Sequence, residues 1–452
     1  MMNESSKQET EKPTGSIDIK RQTSNLRYRW LWAEPSIWTD KMLAALDNGV
    51  KGGKWFSIID KVYRPKTLKA AWKKVEANKG ASGVDKQTVE RFQANEDEYL
   101  TEIHEELLRD SYEPSAVRRV YIPKEKGKMR PLGIPTVKDR IVQTAAKMVL
   151  EPILEKEFLD MSYGFRPGRG AKDALLRVDR KLQEGYTWVV DADLRSYFDT
   201  IPHERLMNKV KRYVSDRSFL SLIEKWLSQN IMDEASEWVP TSGTPQGAVI
   251  SPLLANLYLH DLDKEVVEAG YEMVRYADDF VILTKSRDEA IKAATIVMEW
   301  VEANGLEIHP EKSHIGNCMK EGQGFDFLGY RFECGTRWVR QKSIKAFRDK
   351  IRAKTRRTCG QSIKSIICSV NRTVKGWYQY FKHVNKWSME VFDSFVRRRL
   401  RAILRKHNKR PGFGLSFRDH KEWPNLYFAN LGLFSMAKAR ELENACRPRC
   451  GN

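Results

Sequence analysis

Apolar residues recur along this chain with helical spacing in some stretches and strand spacing in others, and the texture changes several times. From Trp30 to Trp72 aromatic and charged residues alternate irregularly. Helical spacing at Leu43 and Leu46, and again at Leu68, Ala71, Trp72 and Val75, predicts a small helical module there. Residues 78–85 contain two glycines and read as a turn, followed by a helix through 99–108. Then 117–123 predicts a strand, 124–129 a basic turn, 132–135 another extended piece, and 138–158 a helix interrupted near Pro152. The stretch 188–283 mixes strands and helices, with strands near 188–193 and 271–283. Beyond Arg337 the pattern is almost wholly helical up to Arg410, where Pro411-Gly412 breaks it. Residues 1 to 25 are polar and expected to be disordered. No internal repeat is visible.

Composition adds class and partner. With 452 residues and 41% hydrophobic content the chain can bury a sizeable core in two to four domains. No uninterrupted apolar stretch reaches the length of a membrane span, and residues 1–20 lack the apolar core of a signal peptide. The expected location is the cytoplasm or nucleoid, with no membrane partner. Six cysteines form no CxxC pair, which fits a reducing compartment, and Cys446-Arg-Pro-Arg-Cys450 is at most half a zinc site. The net charge of +19 is concentrated: residues 336–412 hold 23 Lys and Arg against three acids, and the rest of the chain sums to −1. An excess confined to one segment reads as a phosphate-binding surface.

The candidate chemistry centres on Tyr276-Ala277-Asp278-Asp279, adjacent carboxylates between two strand-like runs. Two neighbouring Asp side chains repel unless a cation neutralises them. An upstream partner lies in Trp188-Val189-Val190-Asp191-Ala192-Asp193. Strand alternation puts Asp191 and Asp193 on one face, so spacing does not choose between them. Hard oxygen ligands suit Mg²⁺, and two such ions roughly 3.5 to 4 Å apart can clamp the attacking and leaving oxygens of a phosphoryl transfer. Lys124 and Arg130 flank a Gly-containing turn and could converge on a triphosphate. An aromatic ring four or five residues beyond Asp193, Tyr197 or Phe198, could pack against a nucleotide sugar and exclude a 2′-hydroxyl, and on pattern alone either ring could equally be core. Residues 241–252 form a Gly- and Pro-rich loop in which Gln246 offers an amide to a base, sugar or template strand.

Taken in order, these segments resemble the blocks of a bacterial group II intron reverse transcriptase. They are Tyr121 to Thr136, Tyr163-Gly-Phe-Arg-Pro-Gly168, Asp193 to Asp199, Gly243-Thr-Pro-Gln-Gly247, Tyr276 to Asp279, Gly305 to Lys312 and Phe327-Leu-Gly-Tyr330. Lys79 to Asp85 resembles the extra block upstream of the fingers in this family. Gly376-Trp-Tyr-Gln-Tyr-Phe381 resembles the hallmark of the maturase domain, which doubles as the thumb. The resemblance covers residues 30–435 and implies an α+β right-hand polymerase, with fingers and palm built of antiparallel sheet plus helices and an α-helical thumb. The implied domains are a disordered tail (1–29), an N-terminal helical extension (30–116), a fingers-palm domain (117–335), a basic thumb/maturase domain (336–412) and a short C-terminal tail (413–452).

Carried over residue by residue, the resemblance implies that Asp193, Asp278 and Asp279 bind two magnesium ions. It implies that Lys124 and Arg130 contact the triphosphate, that Phe198 lies under the deoxyribose, that Gln246 lies beside the incoming nucleotide and that Lys312 is near the primer end. Arg397, Arg398, Arg399, Arg405 and Lys406, interleaved with Trp377, Tyr378, Tyr380, Phe381 and Trp387, are the expected nucleic-acid contacts, several of these aromatics being thumb core. The implied partners are an RNA template, a DNA primer, deoxynucleoside triphosphates and the parent intron RNA, which is itself the splicing catalyst. Residues 413–452 are too few for the DNA-binding and endonuclease domains of the longest members, so insertion at single-stranded target DNA is expected. The competing expectations are a splicing factor with dispensable polymerase activity and a domesticated enzyme of defence or DNA repair.

Overall fold

The computed structural model describes residues 27–123, 129–233, 236–240, 242–244, 247–384 and 386–445. Lys124, Gln246, Cys446, Cys450 and nearly all of the 1–29 tail lie outside them. Among these residues the strands, in chain order, are β1 (Val117–Pro123), β2 (Met129–Ile134), β3 (Trp188–Asp193), β4 (Ile231–Asp233), β5 (Ser236–Trp238), β6 (Glu272–Tyr276), β7 (Asp279–Thr284), β8 (His314–Asn317), β9 (Phe325–Phe327), β10 (Tyr330–Glu333) and β11 (Thr336–Val339). The chain divides into two compact units interleaved in sequence: 1–170, 193–278 and 295–309 form one, and 171–192, 279–294 and 310–452 the other. Linear boundaries at 116 and 335 do not reproduce this division.

In the first unit, helices Asp40–Asn48 and Pro65–Asn78 bury the apolar faces their spacing predicts, including Leu43, Leu46, Leu68, Ala71, Trp72 and Val75. The helix Val137–Glu155 is largely buried and runs through Pro152 without the expected interruption. Proline removes the N–H that would bond the carbonyl four residues back. That carbonyl, of Met148, instead accepts from the indole Nε1 of Trp38 at 3.0 Å. A small sheet runs in the order β2-β1-β4-β5. β1 and β2 pair antiparallel, with Ile122 opposite Arg130, whereas β1 and β4 pair parallel, with Val117 opposite Ile231. The helix Ser251–Glu268 is buried on most sides, and β6 follows it.

In the second unit β7, β3 and β8 are consecutive in one sheet, with β3 and β8 antiparallel and Asp191 opposite His314. A separate sheet runs β11-β10-β9. The segment 336–339 is therefore a strand rather than the start of the helical region, and a boundary at 335 cuts the β10–β11 hairpin. Thr-Arg-Trp-Val is β-prone, and the cation that made it look like thumb, Arg337, is held by Asp179. Helices Gln341–Lys354, Ile363–Phe381 and Lys386–His407 follow.

The expected short tail is structured. Helices Phe417–Glu422, Asn425–Asn430 and Met436–Ala445 bury Trp423, Phe428 and Met436. Asp393 receives bonds from the Ser435 hydroxyl at 2.6 Å and from the Met436 and Ala437 N–H groups at 3.0 and 3.2 Å. Ser416 and Asp419 form a capping box, a spacing visible in the sequence that signals a helix start.

Candidate active site

The acidic turn begins where β6 ends. Tyr276 closes β6, Ala277 and Asp278 make the turn, and Asp279 opens β7. Ala277 takes a left-handed φ of 61°, a conformation that costs a residue with a Cβ roughly 1–2 kcal/mol. The cost is borne because the surroundings determine the turn. Arg275 donates from Nη1 to the Ala277 carbonyl at 3.0 Å and to the Asn256 amide oxygen at 2.9 Å. Its Nε and Nη2 reach the two Asp263 oxygens at 2.7 and 2.5 Å, and both side chains are fully buried. Asn256 donates in turn to the Gly164 carbonyl at 2.7 Å.

Gly164 explains part of the Tyr163–Gly168 block. A Cβ there would collide with the Ala277 nitrogen and lie 2.8 Å from the Tyr276 carbonyl carbon, so only glycine lets the two backbones touch. The neighbouring Tyr163 N–H bonds the Arg275 carbonyl at 2.8 Å, and the Arg275 N–H bonds Met161 at 2.9 Å. None of the Arg275, Asp263 and Asn256 set is legible as site chemistry in the sequence. An Arg on an apolar strand and an Asp on a nearly all-buried helix were the available signal, since unpaired charges do not survive burial.

Asp193 is fixed by a different block. At the end of β3 its carbonyl accepts from the His309 N–H at 2.8 Å, and Arg195 N–H bonds the Glu307 carbonyl at 2.8 Å, so Gly305 to His309 runs alongside the chain leaving the strand. Asp191 is 3.8 Å from the His314 imidazole instead. The Asp278 carboxyl is pushed above the ordinary range, first by burial; Arg130 and Arg275 pull it down, and Asp193 pushes it up. Arg130, Asp193 and Asp278 therefore share one electrostatic environment.

Burial also distinguishes the two aromatic candidates. Tyr197 is 2% exposed and donates its hydroxyl to the Ala255 carbonyl at 2.6 Å, whereas Phe198 is half-buried. The described part of the Gly-rich loop is stitched to the same segment: the Thr244 N–H bonds the Phe198 carbonyl at 2.6 Å and the Gly243 N–H bonds that of Ile201 at 2.8 Å. At Gly247, φ is 113° and a Cβ would collide with the Gly133 carbonyl of β2. The Val249 N–H then bonds the Gln143 amide oxygen at 2.8 Å. The upstream block is held likewise, the Ser82 carbonyl accepting from Arg118 Nε and Nη2 at 3.0 and 2.6 Å.

Among the described residues no three His, Cys, Asp or Glu side chains converge closely enough to hold an ion alone. The donor set still fits magnesium, which takes one or two carboxylates and completes its shell with water and substrate phosphates. A partly buried carboxyl facing a second one is a place where a cation relieves repulsion.

In the second unit Lys312 is exposed in a turn. Arg399 donates to Thr355 Oγ1 and carbonyl at 3.0 and 2.7 Å, Arg405 to the Asp419 carboxylate at 2.6 Å, and Arg397 to Ser394 at 3.1 Å. These three serve the packing of their own unit, which leaves Arg398 and the exposed Lys406 as the more available of the five expected contacts. Tyr378 and Phe381 are core, and the Tyr380 hydroxyl bonds the Leu328 carbonyl at 2.8 Å. Trp387 is exposed.

Residues 122–332 match the family described as reverse transcriptase (RNA-dependent DNA polymerase), and residues 344–422 match the maturase-specific domain of group II introns. Protein YkfC of Escherichia coli is 35% identical over 311 residues, covering 60% of this chain and 81% of that protein. The group II intron-encoded protein LtrA of Lactococcus lactis is 39% identical over 208 residues, covering 45% of this chain but only 34% of LtrA. A chain of the solved "Partial Cas6-RT-Cas1--Cas2 complex" overlaps 55% of this chain and 41% of its own length at 26% identity, with a TM-score of 0.34, too loose a superposition to add to the assignment. Among the described residues no helix is long and apolar enough to cross a membrane.

Proposed function

The chain belongs to the group II intron reverse transcriptase/maturase family, and from that premise we propose that it copies RNA into DNA and also binds a group II intron RNA to promote its splicing and mobility. The observation that carries the reading is the presence of both matched regions, reverse transcriptase and maturase-specific, in one chain. The substrates are an RNA template, a DNA primer and deoxynucleoside triphosphates, in the bacterial cytoplasm at the nucleoid.

Asp193, Asp278 and Asp279 are the residues proposed to hold two magnesium ions, which when bound would activate the primer 3′-oxygen and steady the departing pyrophosphate. Arg130, whose charge already bears on Asp278, meets the triphosphate together with Lys124. Phe198, half-exposed beside a buried Tyr197, supplies the ring that excludes a 2′-hydroxyl. Gln246, in the loop stitched to the Phe198 segment, lies beside the incoming nucleotide, and Lys312 serves the primer end. Arg275 orients the turn through the Ala277 carbonyl. The basic helical segment grips RNA, Arg398 and Lys406 being its most available residues among those first expected.

The polymerase half is tested by extension of a DNA primer on an RNA template by the wild-type chain and Asp278→Ala; equal extension by both overturns it. The maturase half is tested by splicing of the host intron at low magnesium with and without protein. Splicing that ignores the protein overturns that half alone.

A further inference from the structure

Helices Gln341–Lys354 and Lys386–His407 carry arginines whose spacing gathers them around a single ring. The guanidinium carbons of Arg348, Arg352 and Arg398 lie 5.8, 5.9 and 5.5 Å from the centroid of Phe395. Arg357 lies 5.6 Å from the ring of Phe413. One cation on an exposed aromatic face gains only a modest attraction. Three cations on one ring also repel one another.

Among the described residues little offsets that repulsion. Arg352 donates to Asp349 at 2.7 Å. The Nε–H groups of Arg348 and Arg357 are buried without an acceptor among the described residues. Arg399, turned toward Thr355, feels the same field: burial first, then Arg398, Arg352 and Arg357, hold its pKa below the usual value. Arginine is the side chain best shaped to present paired donors to a phosphate.

We infer that Arg348, Arg352, Arg357 and Arg398, gathered by Phe395 and Phe413, form a phosphate-binding notch for a nucleic-acid backbone. The inference rests on the proposal that this unit grips RNA, and it moves the centre of that grip away from Arg397, Arg399 and Arg405, which are engaged within the fold. The phosphodiester has two possible sources, the intron RNA and the primer-template duplex.

Filter binding across a salt series, with the full chain and either a labelled intron RNA fragment or a labelled RNA–DNA duplex, tests it. The double variant Arg348→Gln/Arg398→Gln is expected to flatten the slope of log affinity against log salt by about one to two on the probe that uses the notch, and to weaken its binding about tenfold. Lysine at both positions restores most of the slope. Arg352→Gln, at a half-exposed side chain, repeats the effect in smaller size and guards against misfolding of the double variant. Slopes unchanged on both probes overturn the notch. Primer extension by the wild-type chain reads the polymerase proposal separately, so loss of extension with the slope change intact would overturn only that proposal.

Discussion

In the first unit Arg275 is wholly enclosed and all three of its nitrogens have partners, whereas in the second Arg348, Arg352, Arg357 and Arg398 gather around two rings and, among the described residues, only Arg352 is ion-paired, to Asp349. The same side chain does different work because its charge is settled differently. Where Asp263 and Asn256 settle it, the result is a rigid turn. Where aromatic faces hold the cations without neutralising them, the donors are left for a ligand. The local charge of a segment is thus a poor guide to function until the partner of each cation is known; Arg399 and Arg405 lie in the most basic run of the chain and hold Thr355 and Asp419.

The sharpest test of this contrast is at the turn itself. Asp278→Ala is expected to reduce primer extension by about a thousandfold or more. Its thermal midpoint without divalent cation should match or exceed that of the wild type, since a carboxyl pushed up by burial and Asp193 is gone. A large loss of stability would mean that Asp278 belongs to the scaffold. Arg275→Met should behave in the opposite way, losing roughly 3–5 kcal/mol in denaturant unfolding because Asp263 is left buried and alone. The notch arginines, by contrast, are expected to leave unfolding nearly unchanged.

His260 extends the comparison to pH. Both ring nitrogens are buried without a partner among the described residues, and burial lowers its pKa from 6.5 to about 4, Lys264 and Arg275 adding to the shift and Asp263 and Asp261 opposing it. The unfolded chain therefore binds a proton between about pH 6.5 and 4 that the folded chain refuses. Stability from this group is full above pH 6.5 and is lost as pH falls toward 4, on the order of 3 kcal/mol. Across that window the wild type is expected to lose stability relative to His260→Met as pH drops; parallel curves would exclude His260 as the cause. The smallest effect belongs to Trp38→Phe. Leaving the Met148 carbonyl unpaired beneath Pro152 should cost about 1–2 kcal/mol, read in the same assay.

Much of this architecture is legible in the sequence where a periodicity has a single interpretation. The runs 117–123 and 188–193 are strands with those bounds, and the buried faces of the N-terminal helices follow their spacing. Three features resist reading for a common reason: their cause is distant in sequence. The helix survives Pro152 because a tryptophan 110 positions away from Met148 supplies the missing donor. Asp191 and Asp193 share a face by alternation, and only the approach of residues 305–309 and the charge coupling to Asp278 tell them apart. Tyr197 and Phe198 are adjacent and similar, and the difference lies in the Ala255 carbonyl that takes the tyrosine hydroxyl. The C-terminal helices are a separate case, since the Ser416–Asp419 capping box was present locally but stood behind the stop signal of Pro411-Gly412.

The contact between Gly164 and the Ala277 turn has a consequence for stepwise copying. A polymerase must advance its nucleic acid by one unit per addition while something else stays still as the reference point. Backbone seated on backbone, with no side chain between to change rotamer, is among the stiffest joints a protein can make. If Asp278 and Asp279 hold the ions as proposed, this joint would be the fixed stop of a ratchet, past which template and primer slide so that each new 3′ end arrives at the same place.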